Sequence, residues 1–233
     1  MRMGSSEKLP QTSGALPYRF IETYKNLKEK AESIISIHIT SKRSGVCEAA
    51  TLAKKYLQDE AGPKTDIEVV DTKLASLGTW FPVEIAANLS KKLATLAEIK
   101  AEVNEAIEKT QIYVTLQTFE NLKKGGRGDE IIKAVIASAL SIYPVIGFVD
   151  GKLKDLARAR TIQKARDQMI QMVGDAGKLV RLAVVHANAP VLAEKAKEAL
   201  KKIYGGDIPV YEAGPVLAVH AGVGALAVAF QKA

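Results

Sequence analysis

Short runs of branched apolar residues alternate along this chain with longer stretches whose apolar residues recur at helical spacing. Strands that feed helices, each crossing back over a sheet, produce that order, so the fold class is α/β. The apolar runs are Ile34 to Ile39, Ile67 to Val70, Ile112 to Leu116 and Val180 to His186. Helices are expected at Tyr18 to Ala31, Gly45 to Leu57, Leu77 to Leu93, from Thr95 onward, at about Glu130 to Leu140, at Arg160 to Val173 and at Val191 to Tyr204. Thr95 and Glu98 have the spacing of a capping box. Behind them Ile99, Val103 and Ile107 fall on one helix face. The run Tyr143 to Val149 is hairpin-like and turns at Asp150-Gly151, a favoured turn dipeptide.

A chain of 233 residues accommodates two domains, each with its own core. The boundary is expected near Lys109 to Gln111, giving a first α/β domain over 1–110 and a second over 111–233. The first clear element is a helix, whereas a parallel sheet would normally open with that helix's partner strand. The first domain is therefore expected to be a truncated parallel sheet, and the second a mixed sheet with flanking helices.

Composition removes several function classes. With 47% hydrophobic and 25% charged residues, the bulk of the chain is not disordered. Thirty-three Lys and Arg against 26 Asp and Glu leave a net charge of +7, but the cations are dispersed. Even the densest basic stretch, Lys152 to Arg166, contains Asp155. Without a basic stripe, finger spacing or an aromatic-rich strand pattern, nucleic acid is not expected as a partner; an acidic partner or anionic ligand fits better. The single cysteine, Cys47, cannot form an internal disulfide, no metal cage can be assembled, and no charged-apolar-small leader opens the chain. A cytoplasmic location is expected.

The uncharged run Ala213 to Gln231 approaches the ~20 residues of a membrane-spanning helix. Gly214-Pro215, Gly222 and Gly224 divide it into Pro215 to Val219 and Ala225 to Phe230, which reads as two buried strands joined by a glycine turn. Stable membrane insertion is not expected.

Ligands of open α/β sheets sit beyond the carboxyl ends of strands, against the N–H groups of the next helix. The turn Thr40 to Gly45 occupies that place: Ser41 and Ser44 supply hydroxyls and Gly45 allows close approach. Two readings stand, a carboxylate or phosphate site and a simple helix cap by Ser44. Thr12-Ser13 is a second hydroxyl pair, in a loop before a helix. The stretch Lys123-Lys124-Gly125-Gly126-Arg127 puts cations on a flexible loop and lacks the Lys-Ser/Thr of a phosphate-binding loop. Arg127-Gly128-Asp129 matches an adhesion motif by chance. Of three histidines, His38 reads as a sheet-face residue, His186 as a cap or a site, and His220 as a hydrogen-bond donor to a bound oxygen.

Taken together, these segments resemble the DegV family of bacterial fatty-acid-binding proteins. Thr12-Ser13 with Phe20 resembles its Thr-Ser loop and following helix, and Ile34 to Ser41 with Ser44-Gly45 and Ala49-Ala50 its strand and Ser-Gly turn. Asp71-Thr72 with Ala75 and Gly78 is similar to its Asp-Ser segment, and Lys124-Gly-Gly-Arg127 to its Gly-Gly-Arg loop. Tyr143-Pro144 with Asp150-Gly151 resembles the central hairpin, and Gly214-Pro215 with His220-x-Gly-x-Gly-Ala225 the closing signature. The six lie in the family's order.

The resemblance implies two α/β domains, a long acyl chain in an apolar tunnel and its carboxylate at the cleft between domains. It implies a carrier, not an enzyme, which needs no cofactor and presents its fatty acid to an ATP-dependent fatty-acid kinase catalytic subunit. Thr12, Ser44, Gly45 and His220 would hold the carboxylate, Arg127 would lie at the cleft mouth, and Arg160 and Lys164 would face the kinase. Departures are the absent opening strands, Val46 where Thr usually follows Ser-Gly, Arg43 in an apolar position, Val219, Ala221 and Val223 around His220, and Gly128-Asp129 after the Gly-Gly-Arg loop. Two other readings compete: a serine hydrolase using Ser44, His220 and Asp71, without the Gly-x-Ser-x-Gly elbow, and a non-binding scaffold paralogue.

Overall fold

The structure is a computed structural model that describes residues 10–61, 66–128, 131, 133 and 142–233. Apart from Ile131 and Lys133, the helix expected at about Glu130 to Leu140 lies outside the described residues. The chain forms two compact units, one made of Ser13–Glu108 with Asp150–Lys152, the other of Met1–Thr12, Lys109–Val149 and Leu153–Ala233.

The first unit runs α1 (Pro17–Lys28), β1 (Ser33–His38), α2 (Val46–Ala61), β2 (Asp66–Asp71), α3 (Leu77–Lys91) and α4 (Leu96–Lys109). Strands β1 and β2 pair in parallel from Ser33 opposite Asp66 to His38 opposite Asp71. Because side chains alternate across a strand, β1 serves two cores. Ile34 packs with Tyr24 of α1, Ala50, Ala53 and Leu57 of α2 and Ile67 of β2. Ile35 and Ile37 pack with Val70, Ala86 of α3, and Ile99 and Val103 of α4. The expected capping box is present: Thr95 Oγ1 accepts from the Glu98 N–H at 3.3 Å, and Glu98 Oε2 accepts from the Thr95 N–H at 2.8 Å.

The second unit contains β3 (Thr110–Thr115), α5 (Glu120–Lys124), β4 (Tyr143–Val149), β5 (Lys152–Ala159), α6 (Ile162–Gly174), β6 (Leu179–His186), α7 (Pro190–Leu200), β7 (Val210–Glu212), α8 (Pro215–Ala221) and β8 (Leu226–Lys232). Its six strands lie in the order β5-β4-β3-β8-β6-β7. The sheet is mixed: β8 is antiparallel to β3 and to β6, and β6 is parallel to β7. Central β8 is buried on both faces, which explains its near-continuous apolar run. Leu226, Val228 and Phe230 face one core with Ala165, Met169 and Val173 of α6 and Ala193, Ala196 and Leu200 of α7. Ala225, which precedes β8, joins Leu116, Leu122, Ile146, Ala187 and Ala218 in a second core.

The strand expected at Pro215 to Val219 is instead the helix α8. Gly214 is its extended N-cap, Pro215 occupies the first turn where a missing N–H is harmless, and Gly222 ends it at φ 77°, a positive φ that suits glycine. Strand β5 lies in the basic stretch on the far side of the expected Asp150-Gly151 turn and neighbours β4, whereas the three-residue β7 is not expected from the sequence.

Candidate functional site

Helix α8 presents His220 in its last turn. Its Nε2 lies 3.0 Å from Thr12 Oγ1, a contact within the second unit between residues 208 positions apart. One neighbouring segment, α5, packs against the imidazole. Asn121 of α5 donates its side-chain N–H to the Val219 carbonyl at 2.9 Å, tying α5 to α8. At the end of α5, Gly125 approaches the ring so closely that an added Cβ would stand 2.5 Å from Nδ1. That Nδ1 is buried and has no hydrogen-bond partner among the described residues. The next side chain but one, Arg127, folds back to donate from Nη1 to the Gly125 carbonyl at 2.9 Å.

Burial, and then the nearby Arg127 cation, push the His220 pKa below its ordinary value. The ring is therefore neutral at pH 7 and carries one N–H. A hydroxyl and a neutral imidazole carry two donors between them; their mutual bond uses one and leaves the other for an acceptor-only group such as a carboxylate, with a guanidinium adding favourable charge.

The Thr40 to Gly45 turn belongs to the first unit. Thr40 is fully buried; its Oγ1 donates to the Gly151 carbonyl at 2.8 Å and accepts from the Lys42 N–H at 3.2 Å. Asp71 steadies the turn, with Oδ2 accepting from the Ser41 N–H at 3.1 Å and Oδ1 from the Lys73 N–H at 2.8 Å. Ser44 Oγ accepts from the Val46 N–H at 3.4 Å, a long bond at the entry to α2. Gly45 is exposed, and a Cβ there would meet no protein atom. The first N–H groups of a helix lack intrahelical acceptors, so a helix start of this kind favours an anion.

Thr12, His220 and Arg127 thus come together in one unit, while Ser44 and Gly45 sit in a built turn of the other. Arg160 and Lys164 are exposed around the start of α6, where Thr161 caps the helix by accepting from the Lys164 N–H at 3.2 Å. The remaining histidines have local roles. His38 Nε2 bonds Ser36 Oγ at 2.7 Å, and its ring meets Phe20 edge-on; His186 Nδ1 accepts from the Ala189 N–H at 3.2 Å, at the N-cap of α7. Asn121, Gln117 and Arg166 were not marked by any sequence motif. Among the described residues no group of three or more His, Cys, Asp or Glu could hold a metal ion, and no helix is long and apolar enough to cross a membrane.

Comparison with known proteins bears on the family and the fold. A family model described as "Uncharacterised protein, DegV family" matches residues 1–233. The DegV domain-containing protein lmo1863 of Listeria monocytogenes is 32% identical over 230 residues, spanning 97% of this chain and 80% of that protein. Among solved structures, the fatty acid binding DegV family protein SAG1342 of Streptococcus agalactiae superposes with a TM-score of 0.88 at 26% identity, covering all of this chain and 82% of that one. A DegV family protein of Ruminococcus gnavus, solved with vaccenic acid, gives a TM-score of 0.84 at 25% identity over 98% of this chain and 81% of its own. The six motifs, the two sheets and the matched family model lead to one assignment: this chain belongs to the DegV family.

Proposed function

We propose that this protein binds a long-chain fatty acid and acts as its carrier, presenting the carboxylate to an ATP-dependent fatty-acid kinase. The observation that carries the reading is the Thr12–His220 hydrogen bond, 3.0 Å long, around a neutral imidazole. It occurs in a chain similar to the fatty acid binding Streptococcus agalactiae protein and to the Ruminococcus gnavus protein solved with vaccenic acid. In this reading Thr12 and His220 hold the carboxylate together with Ser44 and the N–H groups at Gly45, and an apolar tunnel takes the tail. Arg127 adds charge near the head group, and Arg160 with Lys164 faces the kinase.

The energetics favour a long tail. An unpartnered buried carboxylate costs several kcal/mol, so converging donors are needed merely to offset desolvation. Each buried methylene then contributes about 0.8 kcal/mol, and affinity grows with chain length until the tunnel is filled. No observation favours the hydrolase reading, since both carboxylate oxygens of Asp71 are already occupied by backbone N–H groups.

Native mass spectrometry of protein purified from cells, followed by uptake of labelled oleate after delipidation, tests the proposal. The expected result is one fatty acid per chain, re-acquired from oleate and strongly reduced in Thr12→Val and His220→Ala. A wild-type protein that is empty and takes up neither oleate nor palmitate would overturn it.

A further inference from the structure

Arg166, on α6, is 7% exposed and lies outside the head-group site described above. Its Nη2 donates to Gln117 Oε1 at 3.1 Å and to the Gly224 carbonyl at 3.3 Å. Its Nε is buried without a hydrogen-bond partner among the described residues. A buried cation that meets only neutral acceptors is costly, and an apolar side chain of similar size would serve stability at least as well. Its two acceptors give a reason for its presence.

Gln117 follows β3 and begins the segment that carries Asn121, Gly125 and Arg127. Gly224 ends the segment that carries His220. The two segments touch at Gln117, whose Cβ would stand 3.2 Å from a Cβ added to Gly224. Gly224 is also fastened on its other side, its N–H donating to the Ala187 carbonyl at 2.8 Å. With φ of 77° at Gly222 and 82° at Gly224, this turn has conformational freedom that a side chain would deny it, and external bonds must hold it. We infer that Arg166 is a positioning residue: by joining Gln117 to Gly224 it sets the distance between the Gly125 loop and His220, and so orients the imidazole toward Thr12. The expected consequence for lipid affinity rests on the fatty-acid reading; the effect on His220 does not.

The test combines Arg166→Met, Arg166→Lys and Gln117→Met, reading the His220 Cε1–H resonance in lipid-free protein and the dissociation constant for oleate. In Arg166→Met the resonance moves and oleate binds at least fivefold more weakly, and Arg166→Lys, which keeps a charged donor group without the guanidinium's fork, falls between this variant and wild type. If Arg166→Met does not fold, Gln117→Met decides by the same two readouts. A folded variant that only melts earlier, with the wild-type His220 resonance and affinity within twofold, overturns the inference. Failure of the wild type itself to bind oleate would remove the fatty-acid reading, while the resonance would still decide the clamp.

Discussion

Replacing Gly125 by Ala drives a wedge against His220 without straining the backbone, because Gly125 has φ −83°, a conformation open to alanine. The new Cβ would stand 2.5 Å from His220 Nδ1 and 3.1 Å from the Asn121 carbonyl oxygen. Comfortable carbon contacts begin near 3.5 Å, so the ring must retreat by about 1 Å. A shift of that size breaks the 3.0 Å contact with Thr12. Overpacking of this kind costs about 1–3 kcal/mol, and the lost hydrogen bond about 1 kcal/mol in ligand affinity, roughly a fivefold weakening. Chemical denaturation and oleate titration of Gly125→Ala, His220→Ala and the double variant close a thermodynamic cycle. Once the ring is removed the wedge has little left to strike, so the penalty of Gly125→Ala falls close to zero in the His220→Ala background. Strict additivity of the two substitutions would refute the claim that Gly125 is present to admit the imidazole.

Three further outcomes follow, the first from the carrier reading and the others from the packing and burial within each unit. Ser44→Ala lowers oleate affinity by about tenfold yet costs less than the ~1 kcal/mol typical of a lost cap, since its bond to the Val46 N–H is already 3.4 Å long; equal affinity with a large stability loss would make Ser44 only a cap. Phe230→Ala removes a fully buried ring packed edge-on against Tyr113, destabilising the protein by about 3–5 kcal/mol in urea denaturation. Burial holds the pKa values of both His220 and His38 below the ordinary 6.5. Below pH 6.5 the unfolded chain binds protons that the folded one refuses, so stability is full above that pH and declines toward the two depressed values. Denaturation at several pH values shows a shallower decline in His38→Gln combined with His220→Gln, and an unchanged slope would contradict the assignment.

Periodicity made most of the architecture legible because each element's apolar pattern matches its surroundings. Ile35 and Ile37 face one core while Ile34 faces the other, and Ile99 and Val103 sit where the four-residue spacing placed them. Legibility failed where local composition and tertiary context disagree. Pro215 to Val219 carries branched residues suited to a strand, but a proline in the first turn, the capping Gly222 and burial of Ala218 and Val219 make it a helix. Strand β5 alternates exposed and half-buried residues at its start, but its Lys and Arg mask the apolar alternation that marks a strand. Strand β7 is three residues long and exists through parallel pairing with β6, which no local signal encodes. Site legibility divides along the same line: motif likeness marked Thr12, Arg127 and His220, whereas Asn121, Gln117 and Arg166 act through contacts that only the folded chain creates.

In the proposed carrier the carboxylate is held by Thr12 and His220, and carbon NMR of bound [1-13C]oleate reads that group itself. The prediction is a single bound carboxyl resonance, distinct from free oleate, that shifts in both Thr12→Val and His220→Gln. A bound resonance indifferent to both substitutions would place the head group elsewhere and contradict the account.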